Sequence, residues 1–438
     1  MLPWFTAMSD QLNAQFLQRV DRWIGVPVCA AFSLARKIFG GRAANNAVVK
    51  PRKILFVKFA EQGSTVLAFP AISRAVEMVG RTNVYFVVFK ENRFILDVMN
   101  LVPKENVITI RHHGFVDMAT QALAALREIR RLKIDTVIDL EFFARSSAAF
   151  TFLTGARSRV GFHTFFGEGP YRGDLMTHRL LYNPYWHTSQ IFRMMVEALE
   201  QPPSALPTFG VQPARIQKWL PEFLPTADDR QVVRNILNRE FAEPGGEWTG
   251  SEPIILLNAN ASDLLPLRKW APANYVELAQ RLLEHFPEVR IGLTGGPDEV
   301  KAAEAMAAQI ASPRCVSLAG KTTLQQLLVL YTWCELLITN DSGPAHFASM
   351  TSVSVVTLFG PETPSLFGAR SPRSTAIWKG IACSPCVNAH NNRQSPCKNN
   401  LCMQLITVED VFEAACKAMM ARQKNSAPEK VELDKATL

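Results

Sequence analysis

A chain of 438 residues, 48% of them hydrophobic, is long for a single core and too apolar to be largely disordered, so two domains with extensions are expected. The net charge of +8 points to an acidic partner (nucleic acid, anionic lipid or phosphorylated sugar), and no nucleic-acid module is present to take the first of these. No run reaches the roughly 18 apolar residues of a membrane-spanning helix, and the first residues lack the pattern of a signal peptide, so a cytoplasmic chain is expected.

Leu12, Phe16, Val20, Trp23 and Ile24 recur at helical spacing, which predicts an amphipathic helix over 10–24, broken by Gly25 and Pro27. The almost wholly apolar run 26–34 follows, and then the basic cluster Arg36, Lys37, Arg42, Lys50, Arg52 and Lys53. An apolar segment with a tryptophan and flanking cations suits an anchor on an anionic membrane surface, peripheral on the inner face. The same segment would equally serve packing on the protein's own core or on a second subunit. Residues 1–50 are thus an extension and linker.

From residue 51 strands and helices alternate. Strands are predicted over 54–59, 84–89, 107–110 and 136–140, and helices over 66–79, 93–100, 118–132 and 146–153. Residues 163–250 are less regular and rich in proline. The alternation restarts with strands 254–258, 289–294, 316–318, 335–339 and 355–359 and helices 274–285, 300–310 and 324–333. Such alternation means α/β: two parallel sheets, each covered by helices, as two Rossmann-like domains facing across a cleft. The expected division is 51–245 and 250–380, then a cysteine-rich loop 381–405, a terminal helix 406–423 and a disordered tail 424–438.

The run from Ile338 to Ala348 passes from a strand through Asn340-Asp341-Ser342-Gly343-Pro344 into a helix start, where unpaired N–H groups favour an anion. The next strand ends in Gly360-Pro361-Glu362-Thr363-Pro364, so two loops meet at the carboxyl edge of one sheet, where ligands of open α/β sheets bind. An isolated strand, turn and capped helix usually binds nothing, and it is the paired loops that favour a ligand.

Asn340 to His346 followed by Leu358-Phe359-Gly360-Pro361 resembles the nucleotide-sugar signature of the heptosyltransferase-like glycosyltransferases, family nine. The stretch 54–58 with Gly63 and Phe69-Pro70-Ala71-Ile72 is similar to the family's first strand, glycine loop and helix, and 154–162 resembles its basic pair before Gly-Phe. The resemblance implies a GT-B fold, a nucleoside diphosphate sugar donor, ADP-heptose first, and a lipid- or saccharide-linked acceptor such as lipopolysaccharide entering the first domain. It also implies a last helix that packs back on the first domain, and no cofactor for transfer.

Where the family carries its base aspartate this chain has Ser64, whose hydroxyl is no base near neutral pH without an activator. Glu61 is the nearest carboxylate that could replace it; the alternative is a solvated loop glutamate. For the donor, Asn258 closes the first strand of the second domain, and Lys269 before Trp270 matches a family lysine that contacts the donor phosphates. Gly295 and Gly296 resemble a pocket-shaping turn. Asp341 reads as a cap that orients the loop and leaves the Ser342 and Gly343 amides to phosphate, while His346 reads equally as core or ligand contact.

Cys383, Cys386, Cys397 and Cys402 form the remaining constellation, a possible four-thiolate site for structural zinc or iron, against reduced thiols in a surface loop. Two other functions fit the same architecture: a sugar-nucleotide epimerase, and a donor-binding scaffold at the membrane that has lost catalysis with the aspartate.

Overall fold

A computed structural model of the chain describes residues 20–39, 47–111, 113–164, 170–203, 205, 216, 218–242, 250, 252–261, 265–391 and 393–426. Most of the expected 10–24 helix and nearly all of the 424–438 tail lie outside them.

Strands β1 (Ile54–Val57), β2 (Val84–Phe89), β3 (Val107–Ile110), β4 (Thr136–Asp139), β5 (Ser158–Phe162) and β6 (His178–Leu180) form one parallel sheet in the order β3-β2-β1-β4-β5-β6. Strands β7 (Ile254–Asn258), β8 (Arg290–Leu293), β9 (Cys315–Ser317), β10 (Leu336–Asn340), β11 (Ser354–Phe359) and β12 (Ser374–Trp378) form the second, ordered β12-β11-β10-β7-β8-β9. Both orders are the doubly wound one, reversing direction between the first and fourth strands of each half. β1 lies beside β4 with Val57 opposite Asp139, and β7 beside β10 with Asn258 opposite Thr339. The loops that leave these strand ends therefore open at the two switch points.

The central strands are apolar runs buried on both faces, as helices on either side of a parallel sheet require. Strand β5 and the edge strands β6 and β12 were not anticipated. They are short, and β12 is partly exposed along its length, so neither an apolar run nor alternation marks them.

Three segments sit differently from expectation. The expected break at Gly25 and Pro27 is instead the start of a helix, Gly25–Phe39. Pro27 falls in its first turn, where no N–H needs an intrahelical acceptor. The helix Ala227–Phe241 packs on the helix Leu324–Trp333 and on β9, with Glu240 paired to Lys321, so the crossing into the second domain precedes residue 227 rather than following 245. The terminal helix Val408–Ser426 packs on β10, β11 and β12 of the second domain rather than back on the first, burying Val411, Ala415 and Met419.

The domains meet along the cleft. A Cβ on Gly63 would stand 2.8 Å from the His346 ring, so the helix Gln62–Leu67 approaches the helix Gly343–Ala348 as only glycine permits. His187 Nδ1 accepts from the Ser189 amide, and Nε2 donates to the Gly368 carbonyl across the interface at 2.8 Å.

Candidate active site in the interdomain cleft

A cavity of about 570 Å³ lies between the sheets, within the range for ligand sites. The first domain supplies Glu61, Gly63 and Ser64 from the loop after β1. The second supplies Asn258, Asn260, Arg268, Gly295, Gly296, Asp341, Ser342, Gly343, His346 and Arg393. Nine of the ten candidate catalytic and donor-binding positions thus converge on one cavity. Lys269 is not among its lining residues; its neighbour Arg268 is.

Glu61 occupies a left-handed backbone conformation, φ 67° and ψ 78°, which in a non-glycine residue costs on the order of 1–3 kcal/mol and persists where surrounding structure imposes it. Its carboxylate is fully engaged. Oε2 accepts from Ser64 Oγ at 3.1 Å and stands 3.6 Å from Lys58 Nζ, and Oε1 is paired with Arg393. Burial alone would raise its pKa; Arg393, then Lys58 and the Ser64 hydroxyl, outweigh burial and hold it at about 2. Ser64 is thus a donor that orients Glu61.

Lys58, fully buried, also faces Glu141 at 3.5 Å, and Glu141 in turn accepts from the Phe59 and Ala60 amides. The β1 loop is therefore fixed from behind, by charges anchored on β1 and β4.

On the second domain, Asn340 joins the loops: Nδ2 donates to the Ala259 and Asn260 carbonyls, and Oδ1 accepts from the Trp270 amide. That last bond sets where Arg268, two residues earlier, enters the cavity. Asn258 is tied by Nδ2 to Thr294, and Gly295 packs closely under the side chains of Asn260 and Glu299, whose ends lie 2.9 Å from where a Cβ would stand.

Asp341 does not cap the helix Gly343–Ala348, which has no side-chain cap. Its carboxyl turns instead toward Arg268 Nη1 at 3.8 Å and hydrogen-bonds to Glu362. Burial and then the Glu362 charge push the Asp341 pKa well above the usual carboxylate range. Burial would raise Glu362 too, but Arg393 and Arg268 keep it ionised, at 2.9 and 3.5 Å. His346, buried and beside Arg393 and Arg268, is driven down to about 4 and is neutral. It contacts the Gly63 loop as well as the cavity, so the core and ligand readings meet in one residue.

Among the described residues no group of three or more His, Cys, Asp or Glu side chains is placed to hold a metal ion, although Cys402 lies within electrostatic reach of Cys383, Cys386 and Cys397. Cys386 Sγ accepts from Ser395, Cys397 Sγ donates to the Asn399 carbonyl at 2.9 Å, Cys402 is buried near Gly360, and Cys383 is exposed. What the loop does is dock on Pro361 through the Cys386 and Val387 amides and carry Arg393 into the cavity. Sequence reasoning missed Arg393 and Glu362 and undervalued Arg268. Only the Gly-Pro-Glu loop after β11 gave a signal, for Glu362.

A second cavity of about 550 Å³ shares Ala60, Glu61 and Arg393 with the first. Its walls are largely apolar, with Phe59, Phe89, Met118 and Phe150 on the first domain and Ile24 and Val28 on the N-terminal helical segment. Glu61 stands where the two cavities join.

The model of glycosyltransferase family 9 (heptosyltransferase) matches residues 122–396. Lipooligosaccharide heptosyltransferase 2 of Haemophilus influenzae is 30% identical over 167 residues, 36% of this chain and 48% of that protein. Lipopolysaccharide heptosyltransferase 2 of Salmonella typhimurium is 31% identical over 115 residues, 26% and 32% of the two chains. The chain thus spans about half, or less, of the curated relatives it matches. In fold it is similar to the Escherichia coli ADP-heptose lipopolysaccharide heptosyltransferase II, with a TM-score of 0.62, 17% identity, and 85% of this chain and 99% of that one covered. The E. coli heptosyltransferase WaaC with ADP gives 0.57, 17%, 84% and 99%.

Proposed function

We propose that this chain, which belongs to glycosyltransferase family 9, the heptosyltransferases, transfers a heptose from ADP-heptose to a hydroxyl of a lipopolysaccharide-type acceptor. The observation that carries this reading is the position of Glu61: the carboxylate lies where the more polar interdomain cavity meets the more apolar one. Donor in the first and acceptor in the second would bring anomeric carbon and hydroxyl together beside a carboxylate.

Glu61 takes the proton of the acceptor hydroxyl as that oxygen attacks the anomeric carbon and the bond to the nucleoside diphosphate breaks. Negative charge then grows on the departing diphosphate. Arg268 and Arg393, fixed cations in a half-buried cavity, stabilise it without a metal ion. Ser342 and Gly343 offer backbone amides on the same wall. The apolar second cavity suits the hydrocarbon part of a lipid-linked acceptor. The exposed face of the N-terminal helical segment, with Trp23, Leu34 and Ile38, would seat the protein on an anionic membrane at the inner face.

Donor choice is tested by thermal melting of the purified protein with different nucleotide sugars. A ligand held at a hundred times its Kd stabilises the native state by about 2.7 kcal/mol. ADP-heptose should raise the melting temperature more than UDP- or GDP-linked sugars at equal concentration. A larger shift with another nucleotide would replace the donor, and no shift with any would remove the donor-site reading.

A further inference from the structure

Two domains contribute carboxylates to one guanidinium. Arg393 Nε and Nη2 reach Glu362 Oε1 at 2.9 Å, Nη1 is paired with Glu61 Oε1, and the group lies over the Phe367 ring, 5.2 Å from its centroid. The residue is presented from a left-handed turn, φ 56°, closed by its own amide on the Asn388 carbonyl at 2.9 Å. The two partners are unequal. Glu362 is 1% exposed and also faces Arg268, whereas the Glu61 side chain is 35% exposed and has Lys58 and Ser64 to fall back on.

The two arginines of the cavity are already engaged as they stand. Arg268 and Arg393 face Glu362 and Glu61, and Asp341 and Glu299 add further carboxyl groups to the wall. A diphosphate adds two or more negative charges and is itself a strong, multidentate acceptor for guanidinium. It must compete with one of the carboxylates, and Glu61, the more exposed of the two and the one with other partners, is the easier to displace. A carboxylate paired with a guanidinium is, besides, a poor base, because its lone pairs are occupied and its affinity for a proton is lowered.

We propose that Arg393 is a donor-responsive latch: it ties Glu61 to the second domain until the diphosphate of the donor competes for its guanidinium, and the base is released to the acceptor only then. The latch binds the leaving group on one side and frees the base on the other, so deprotonation of the acceptor is coupled to a loaded donor site. This inference rests on reading the cavity as a nucleoside diphosphate sugar site.

Calorimetry with ADP alone tests it, using the full chain, Glu61→Gln, Arg393→Gln and the double variant. Competition has a sign that a structural role lacks. Glu61→Gln should bind ADP roughly three- to tenfold more tightly than the parent, because the guanidinium is no longer shared. Arg393→Gln should bind roughly tenfold or more weakly, and adding Glu61→Gln to it should give no tightening. If Arg393→Gln does not fold, Arg393→Lys substitutes: it keeps the charge but not the fork, and the gain from Glu61→Gln should shrink in its background. ADP binding equally to all four proteins, or more weakly to Glu61→Gln, would overturn the latch while leaving the donor site standing. If neither ADP, UDP nor GDP binds any of them, the donor-site reading falls and the latch with it.

Discussion

At the scale of single residues the proposed donor site depends on which cation would reach the phosphates. The chain carries two adjacent candidates, and a motif match alone favours Lys269, whereas the fold turns Arg268 into the cavity. The Asn340 side chain, by holding the Trp270 amide, fixes that choice. Arg268→Ala should therefore weaken ADP binding by roughly 10- to 100-fold, the range for a lost charged hydrogen bond, while Lys269→Ala should change it less. A titration giving the opposite order would return the phosphate to Lys269. Glu61 was legible as the nearest carboxylate to the position where the family has its aspartate. Its partner Arg393 was not, since 332 residues separate the two and only the folded cleft joins them. Four cysteines within a short loop drew the metal reading. The same loop's contribution to the site is its arginine.

At the scale of elements, strands were easier to read than connections. β1, β7, β10 and β11 are continuous apolar runs because both faces of a parallel sheet are covered, and this signal survives without any context. The helix Gly25–Phe39 was hidden by Pro27, which breaks a helix interior but is harmless in a first turn. One face of this N-terminal segment packs on the first domain: Cys29 is fully buried, Asp21 accepts from the Ser146 amide at 2.7 Å, and Arg36 pairs with Asp174. The other face leaves Trp23 77% and Ile38 63% exposed. Packing on the protein's own core and an apolar outer surface are thus properties of one segment. Trp23→Ser with Ile38→Ser should reduce partition onto vesicles of anionic phospholipid by roughly tenfold or more while leaving the melting temperature unchanged within about a degree, since neither side chain is in the core. Equal partition of parent and variant would place membrane contact elsewhere.

At the scale of the whole molecule, two doubly wound sheets are turned so that their switch points face one another, and the lining of the cavity is divided between them. Glu61 and most of the apolar cavity's wall belong to the first domain, and the loops carrying Arg268, Ser342, Gly343 and Arg393 belong to the second. Gly63 against His346, His187 on Gly368 and Arg393 between Glu61 and Glu362 hold the two together. No single stretch of sequence contains the site. That is why the architecture could be read from alternation while the charge pattern across the cleft could not. The most direct measurement is single-turnover transfer from ADP-heptose to a lipopolysaccharide-core acceptor, followed by mass spectrometry of the acceptor alongside ADP release. The parent should release one ADP for each heptose gained, and Glu61→Gln, with ADP affinity retained or improved, should be slower by roughly two to four orders of magnitude, the range for a lost general base. Turnover of Glu61→Gln at the parent rate, or a parent that binds ADP-heptose and never transfers it, would contradict the account.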